Sequence, residues 1–298
     1  MHAPPGERPA VLDDVDSRAG SATSLLRTIV GAYLRRAGGW IAAADLVALL
    51  DAVGAGASSA RSAVSRGKSR GLLEAAAEGG RPGYRLAPGA AAMLERGDRR
   101  IFSYRQQGEA DPWCLVSYTV PEHRRDARHQ LRRHLAGIGC GHVATGLWIC
   151  PAHLADEVEQ ILRSLGLRDA ATLFVTGTPR VAGTFADAAA RWWDLERLAA
   201  RHHEFLDRHD DGARAPARTA APPGGPEAFA RWTRVLDDWR AVPYLDPGLP
   251  PSALPADWPG PRSVATFDRL RAALAGPADA HVRAVVGGTD DVTASSGS

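Results

Sequence analysis

Apolar residues at helical spacing open the chain. Leu25, Leu26, Ile29, Val30, Tyr33 and Leu34 predict a helix that starts at a Ser21 or Thr23 cap, runs to about Ala37 and stops at Gly38-Gly39. Trp40-Ile41 reads as a short extended piece. A second helix is predicted over 42–52, with Leu46, Leu49 and Leu50 on one face, and the tight turn Val53-Gly54-Ala55-Gly56 follows it. Ser58 or Ser59 caps a third helix that runs to about Arg70 and ends at Gly71. Residues 72–74 and 84–86 are strand-like and flank EGGRPG, whose Gly79, Gly80, Pro82 and Gly83 punctuate a hairpin. Another helix is predicted from Pro88. Three helices with a short strand after the first, then a two-stranded wing, make a winged helix-turn-helix. Its third helix presents an outward face to a DNA major groove.

The period changes at 112–178. Residues 114–120 form a β-branched and aromatic run closed by Pro121, and 124–136 is amphipathic, with Leu131 and Leu135 apolar. Two short strands over 139–145 and 147–150 meet near Gly146. A second helix over 153–165 carries Leu154, Val158, Ile161, Leu162 and Leu165, and 171–176 is a last strand. The order βαββαβ is ferredoxin-like, a superfold that says little about chemistry. Helical spacing returns with one long helix predicted over 185–208 and another over 227–241. They are separated by a Pro/Ala/Gly connector at 213–226 and followed by a Pro-studded stretch and a helix over 263–275. The expected fold class is α+β. A winged helix-turn-helix domain spans 21–106, a ferredoxin-like domain 112–178 and a mostly helical domain 184–286, with disordered ends at 1–20 and 287–298.

Composition adds constraints. The 298 residues are 45% hydrophobic and 23% charged, ordinary for a soluble globular protein. No apolar run reaches the roughly 18–20 residues of a membrane-spanning helix, and the first 20 residues lack an apolar signal core. Three cysteines, Cys114, Cys140 and Cys150, form no CxxC pair, which fits a reducing compartment. A cytoplasmic, nucleoid-associated protein without cofactor or membrane partner is expected. The net charge of +2 is unevenly spread: residues 21–100 hold 11 Arg and 1 Lys against 6 Asp and Glu. That local excess favours a polyanionic partner.

On the third helix, Ala60, Val64 and Gly67 share a stripe and are expected to face the core. Ser58, Arg61, Ser62, Ser65, Arg66, Lys68, Ser69 and Arg70 lie off it. Arginine can hold guanine with two hydrogen bonds, and short hydroxyls bond phosphate or base edges without steric cost. With Arg81 as a basic wing-tip residue, these are the candidate DNA-binding residues. A solvated basic face of a structural helix is the plain alternative. Five of the eight tryptophans lie in 184–286, where they either line a ligand cavity or fill a helical core.

Four segments in order carry a resemblance: ARSAVSRGKSRGLLE with GYRL; PWCLVSYTVPE with LRRHLAGIGCGHVATGLWICP; RWWDLERLAARHHEFL; and RVLDDWRAVPYLDPGLPPSALPADWPG. Over about residues 22–286 the chain resembles the PaaX family of bacterial transcriptional repressors. The resemblance implies a homodimer that binds a double-stranded DNA operator of aromatic-degradation genes and is released by a small effector, an aryl-CoA such as phenylacetyl-CoA. Trp192, Trp193 and Arg240 are the candidate effector-binding residues, because aromatic faces plus a cation suit such a ligand. Gly67 departs from the family pattern, which has an apolar residue, often Leu, at that position. The departure leaves the fold intact and lowers the expected rigidity of the recognition helix.

Enzymatic patterns are weak. A ferredoxin-like metal-dependent nuclease is the alternative function, but the end of the first strand, Ser117-Tyr118-Thr119-Val120, offers no carboxylate to anchor a metal; Glu122 lies beyond Pro121. His202 and His203 are adjacent and point about 100° apart on a helix, so they cannot share a metal as an i, i+4 pair can. Ser117 and Ser263 sit in no GxSxG context, and GTPRVAG lacks a P-loop lysine. The arginine-rich helix 124–133 reads as a solvated face, and a scaffold without DNA binding is a third reading.

Overall fold

The computed structural model describes residues 18–210 and 224–287. The ends predicted to be disordered lie mostly outside the described residues, as does most of the connector predicted at 213–226.

In chain order the elements begin with α1 (Ala22–Ile29), a π-helical continuation Val30–Leu34, β1 (Trp40–Ala42), α2 (Ala43–Ala52), α3 (Ala57–Ser69), β2 (Leu73–Glu78), β3 (Arg81–Leu86) and α4 (Ala90–Phe102). Next come β4 (Trp113–Tyr118), α5 (Arg125–Gly137), β5 (Gly141–Ala144), β6 (Leu147–Pro151), α6 (Ala155–Ser164) and β7 (Ala171–Thr176). The chain continues through α7 (Phe185–Trp192), α8 (Leu195–His209), α9 (Gly225–Trp239), α10 (Val242–Leu245) and α11 (Gly260–Gly287). Two compact units form, neither continuous in sequence. One gathers described residues 18–98, 205–210, 224–239 and 262–287, the other 99–204 and 240–261. The segment read as one C-terminal helical domain therefore contributes to both.

The first unit contains the winged helix. Ser21 caps α1 by accepting the N–H of Ser24, and Gly38 and Gly39, at φ +85° and +82°, stop the chain after the π-helical stretch. The three-stranded antiparallel sheet has the order β1-β3-β2. The hairpin strands are longer than the sequence suggested: β2 and β3 pair from Leu73↔Leu86 to Glu78↔Arg81, which leaves only Gly79-Gly80 as the turn. Both glycines have positive φ, the backbone of a two-residue hairpin whose twist matches the strands. The cap of α3 is Gly56, not Ser58 or Ser59.

Helix α9 is part of the same unit. Its Asp237, 2% exposed, accepts hydrogen bonds from the Ser24 hydroxyl (2.6 Å), the Thr28 hydroxyl (2.7 Å) and the Gly20 N–H (2.7 Å). Tyr33 packs on Phe229, and Trp239 stacks on Phe267 at 4.7 Å, with Trp232 tilted against the same ring. Trp232 and Trp239 are therefore core filler. Helix α11 extends well beyond the predicted 263–275, to 28 residues, and continues through Pro277. Ala278 and Val282 beyond that proline are buried, so tertiary packing outweighs its local cost.

The second unit holds the ferredoxin-like layer. Its sheet order is β5-β6-β4-β7 with every neighbouring pair antiparallel. Leu131 and Leu135 of α5 and Val158, Ile161 and Leu162 of α6 pack with Cys114, Val116 and Cys150 on one face. On the other face Trp113 and Ile149 meet Ala189 and Trp193. The long helix predicted over 185–208 is broken here. Trp193 is extended (φ −119°, ψ 145°), and Asp194 accepts the Arg197 N–H to start α8. The break turns the Trp193 indole into the sheet, where its N–H donates to the Gly139 carbonyl at 2.8 Å. A Cβ on Gly141 would stand 2.6 Å from that indole, which accounts for a glycine there. Gly141→Ala is expected to destabilise the protein by about 1–3 kcal/mol by overpacking, read as a lower denaturation midpoint. An unchanged midpoint would mean that the indole can move aside.

Candidate nucleic-acid interface

Helix α3 divides sharply. Ala60, Ala63, Val64 and Gly67 are buried, and Ser58, Arg61, Ser62, Ser65, Arg66, Lys68, Ser69 and Arg70 are exposed. Ser58, Arg61, Ser62, Ser65, Lys68 and Ser69 fall at i, i+3, i+4, i+7, i+10 and i+11, one stripe along the helix. Gly67 faces Leu26 of α1. A Cβ there would lie 3.1 Å from the Leu26 Cδ2 atom, so the glycine lets α1 and α3 approach closely. That contact is a packing reason for the residue that departs from the family pattern.

The cations on this surface are not equivalent. The side chains of Arg61, Lys68 and Arg70 make no hydrogen bond or ion pair among the described residues. Arg66 is partly committed: its Nε donates to the Thr23 hydroxyl at 2.9 Å. Arg81 stands at the wing tip, beside the Gly79-Gly80 turn, as the first residue of β3. Its guanidinium is committed there, bonded to both oxygens of Asp45 on α2 at 3.2 and 3.3 Å. Asp45 is 7% exposed, so the pair braces the hairpin against the helix-turn-helix. Arg85 is likewise paired, with Glu78. Neither Asp45 nor Thr23 carries a sequence signal for these roles, since both pairings depend on chain segments more than 30 residues apart.

Of the candidate effector-binding residues, two are buried and one is half-buried. Trp193 is buried, and its N–H is used within the core. Arg240 is 3% exposed, while Trp192, set against Phe185 and Trp193, keeps part of its surface. Nearby lies a buried polar cluster that the sequence did not reveal: Asp246 accepts from Tyr104 at 3.0 Å and from the Gly248 N–H at 2.8 Å, and stands 2.8 Å from the His202 Nε2 atom. Burial and the Asp246 carboxylate push the Tyr104 hydroxyl well above its usual range, so it stays a neutral donor. The hydrogen bond that the Cys114 thiol donates to Cys150, together with burial, raises the Cys114 thiol, which keeps it protonated and a poor nucleophile.

Among the described residues, no group of three or more His, Cys, Asp or Glu side chains is arranged to hold a metal ion. No helix of the described residues is long and apolar enough to cross a membrane.

The fold and this surface define the class: an α+β protein with a winged helix-turn-helix and a ferredoxin-like layer. Family models match in chain order, PaaX-like protein over residues 21–90, PaaX protein central Cas2-like domain over 107–187, and PaaX-like protein C-terminal domain over 193–284. The chain belongs to the PaaX family. It is 25% identical over 242 residues to the transcriptional repressor PaaX of Escherichia coli (strain K12), spanning 80% of this chain and 76% of that one. The uncharacterized protein Rv0674 from Mycobacterium tuberculosis shares the fold with a TM-score of 0.52 at 24% identity, covering 85% of this chain and 96% of that one.

Proposed function

We propose that the protein is a DNA-binding transcriptional repressor whose α3 reads an operator in the major groove. The observation that carries this reading is the exposed stripe Ser58, Arg61, Ser62, Ser65, Lys68 and Ser69, with Arg70 beside it, on a helix whose other side is buried. Arginine and lysine neutralise phosphates, and the arginine fork can also hold guanine. The C-terminal end of α3 is the negative pole of the helix, so Lys68 is favourably placed there whether or not DNA is bound. A single helix reads few base pairs, so the protein acts as a homodimer on a two-fold operator. It works in the cytoplasm, at the nucleoid.

The named relative and the family resemblance support this reading. The family resemblance by itself further implies control of aromatic catabolic genes and release by an aryl-CoA such as phenylacetyl-CoA. Such an effector must favour a non-binding state by a few kcal/mol to switch transcription. A thermal-shift screen of aryl-CoA thioesters and free aromatic acids tests the effector. A stabilising thioester supports release by ligand, and no shift for any compound removes it. The DNA reading is tested by duplex binding of the full chain with and without the cations of α3.

A further inference from the structure

Of the 36 arginine and lysine residues in the chain, Lys68 is the single lysine. It stands on the exposed stripe of α3, two turns after Arg61 and one after Ser65. Its side chain makes no hydrogen bond or ion pair among the described residues. The helix end uses its backbone, where the Lys68 carbonyl accepts from the Gly71 N–H at 3.0 Å. A change at the ammonium group therefore disturbs no internal contact.

Residue type sets this position apart. Arginine binds phosphate and guanine at least as well as lysine, and the chain uses it at every other such position. A guanidinium stays protonated and is a poor nucleophile. A lysine ammonium gives up its proton in a small fraction of molecules, and the amine so uncovered attacks acyl carbon. On the α3 face, Lys68 is the cation whose charge acylation removes.

The surroundings select the acyl donor. Arg66 and Arg70 flank Lys68 in sequence, Arg61 lies on its stripe, and all three are exposed. No Asp or Glu stands between Asp51 and Glu74 in the sequence to offset them. A cationic patch raises the local concentration of polyanions. It suits a donor that carries phosphates, as coenzyme A thioesters do on their nucleotide. The same charges draw DNA phosphates, so donor and duplex compete for one surface. We infer that Lys68 is an acylation site for coenzyme A thioesters, and that its acylation weakens the hold of α3 on DNA. The unprotonated ε-amine adds to the thioester carbonyl carbon, and the carbon–sulfur bond breaks as the amide forms. The coenzyme A thiolate leaves and takes the proton shed by the nitrogen. One positive charge becomes a neutral amide. The consequence for DNA rests on the function proposed above; the modification itself does not.

Peptide mass mapping of the full chain after exposure to acetyl-CoA tests the site. The amino terminus is the internal reference, and the acetyl thioester of N-acetylcysteamine, which carries no phosphate, is the second donor. Relative to the amino terminus, Lys68 is expected to prefer acetyl-CoA by about 10-fold, a preference that added salt erases. Duplex DNA is expected to protect Lys68. The acetylated protein is expected to bind duplex roughly 5-fold more weakly, with a log–log salt slope smaller by about one unit. Lys68→Arg takes no acetyl group there, and its affinity, whatever its own value, is expected to be the same before and after exposure. Equal labelling of Lys68 by the two donors would overturn the inference, as would an acetylated protein that keeps the affinity and slope of the untreated one. An untreated protein that binds no duplex would sink the DNA reading and leave the acylation site standing on its donor preference.

Discussion

Replacing Arg61, Lys68 and Arg70 together by alanine is expected to weaken binding to duplex DNA roughly 100-fold near 0.1 M salt, and to flatten the salt dependence by close to three units of log–log slope. The expectation follows from their state in the free protein. All three are exposed, and their side chains make no hydrogen bond or ion pair among the described residues. Their removal breaks no internal contact, so the thermal midpoint should stay put. Fluorescence anisotropy at several salt concentrations, on a duplex from the region flanking the gene, separates the contributions. A residue on phosphate shifts the slope on any sequence, whereas one on a base edge lowers only the affinity for the operator. Arg66→Ala and Arg81→Ala should behave differently from the triple variant, because Thr23 and Asp45 already hold those side chains and some of the effect will appear as lost stability. Unchanged affinity and slope for the triple variant would sink the recognition-helix reading.

Asp237→Ala is expected to cost about 3–5 kcal/mol, among the largest effects open to a single substitution. The carboxylate accepts from two buried hydroxyls, Ser24 and Thr28, and from the Gly20 N–H, at 2.6 to 2.7 Å. Alanine leaves the two buried hydroxyls without this acceptor where water has little access, while the N–H of the exposed Gly20 can turn to solvent. Because α9 is held to α1 by this carboxylate, DNA binding should fail at a lower temperature in the variant. Asp279→Ala is the control. Its partner Arg36 is 67% exposed, and such an ion pair contributes well under 1 kcal/mol. Urea unfolding that shows a loss below about 1 kcal/mol for Asp237→Ala would mean that the contact is not what joins the two helices.

Much of this molecule is legible from periodicity. The helical stripe of Leu25 to Leu34, the β-branched and aromatic run of β4 and the glycine stops at 38–39 and 71 are local signals, each acting within a few residues, and the structure follows them. The outward face of α3 was legible for the same reason, since a helix with Ala60, Val64 and Gly67 on one side can bury only that side. Where reading failed, a distant partner decided. The helix predicted over 185–208 breaks because the Trp193 indole satisfies the Gly139 carbonyl and fills space above Gly141. Nothing in the local spacing of RWWDL signals that.

The tryptophans and Arg240 show the same limit from the functional side. Residue type left a ligand recess and a helical core both open; burial depends on what packs against each side chain, which put Trp193, Trp232 and Trp239 in the core. That Arg81, the basic wing-tip residue, is paired could not be read locally, because its partner Asp45 lies 36 residues away. By itself the sequence determined the elements, the family and the basic face, all properties of neighbouring residues and their spacing. Only the tertiary structure decided which cations remain unpaired, which aromatics are buried and how the C-terminal helices are shared between two units. Those outcomes depend on desolvation and pairing between segments far apart in the chain.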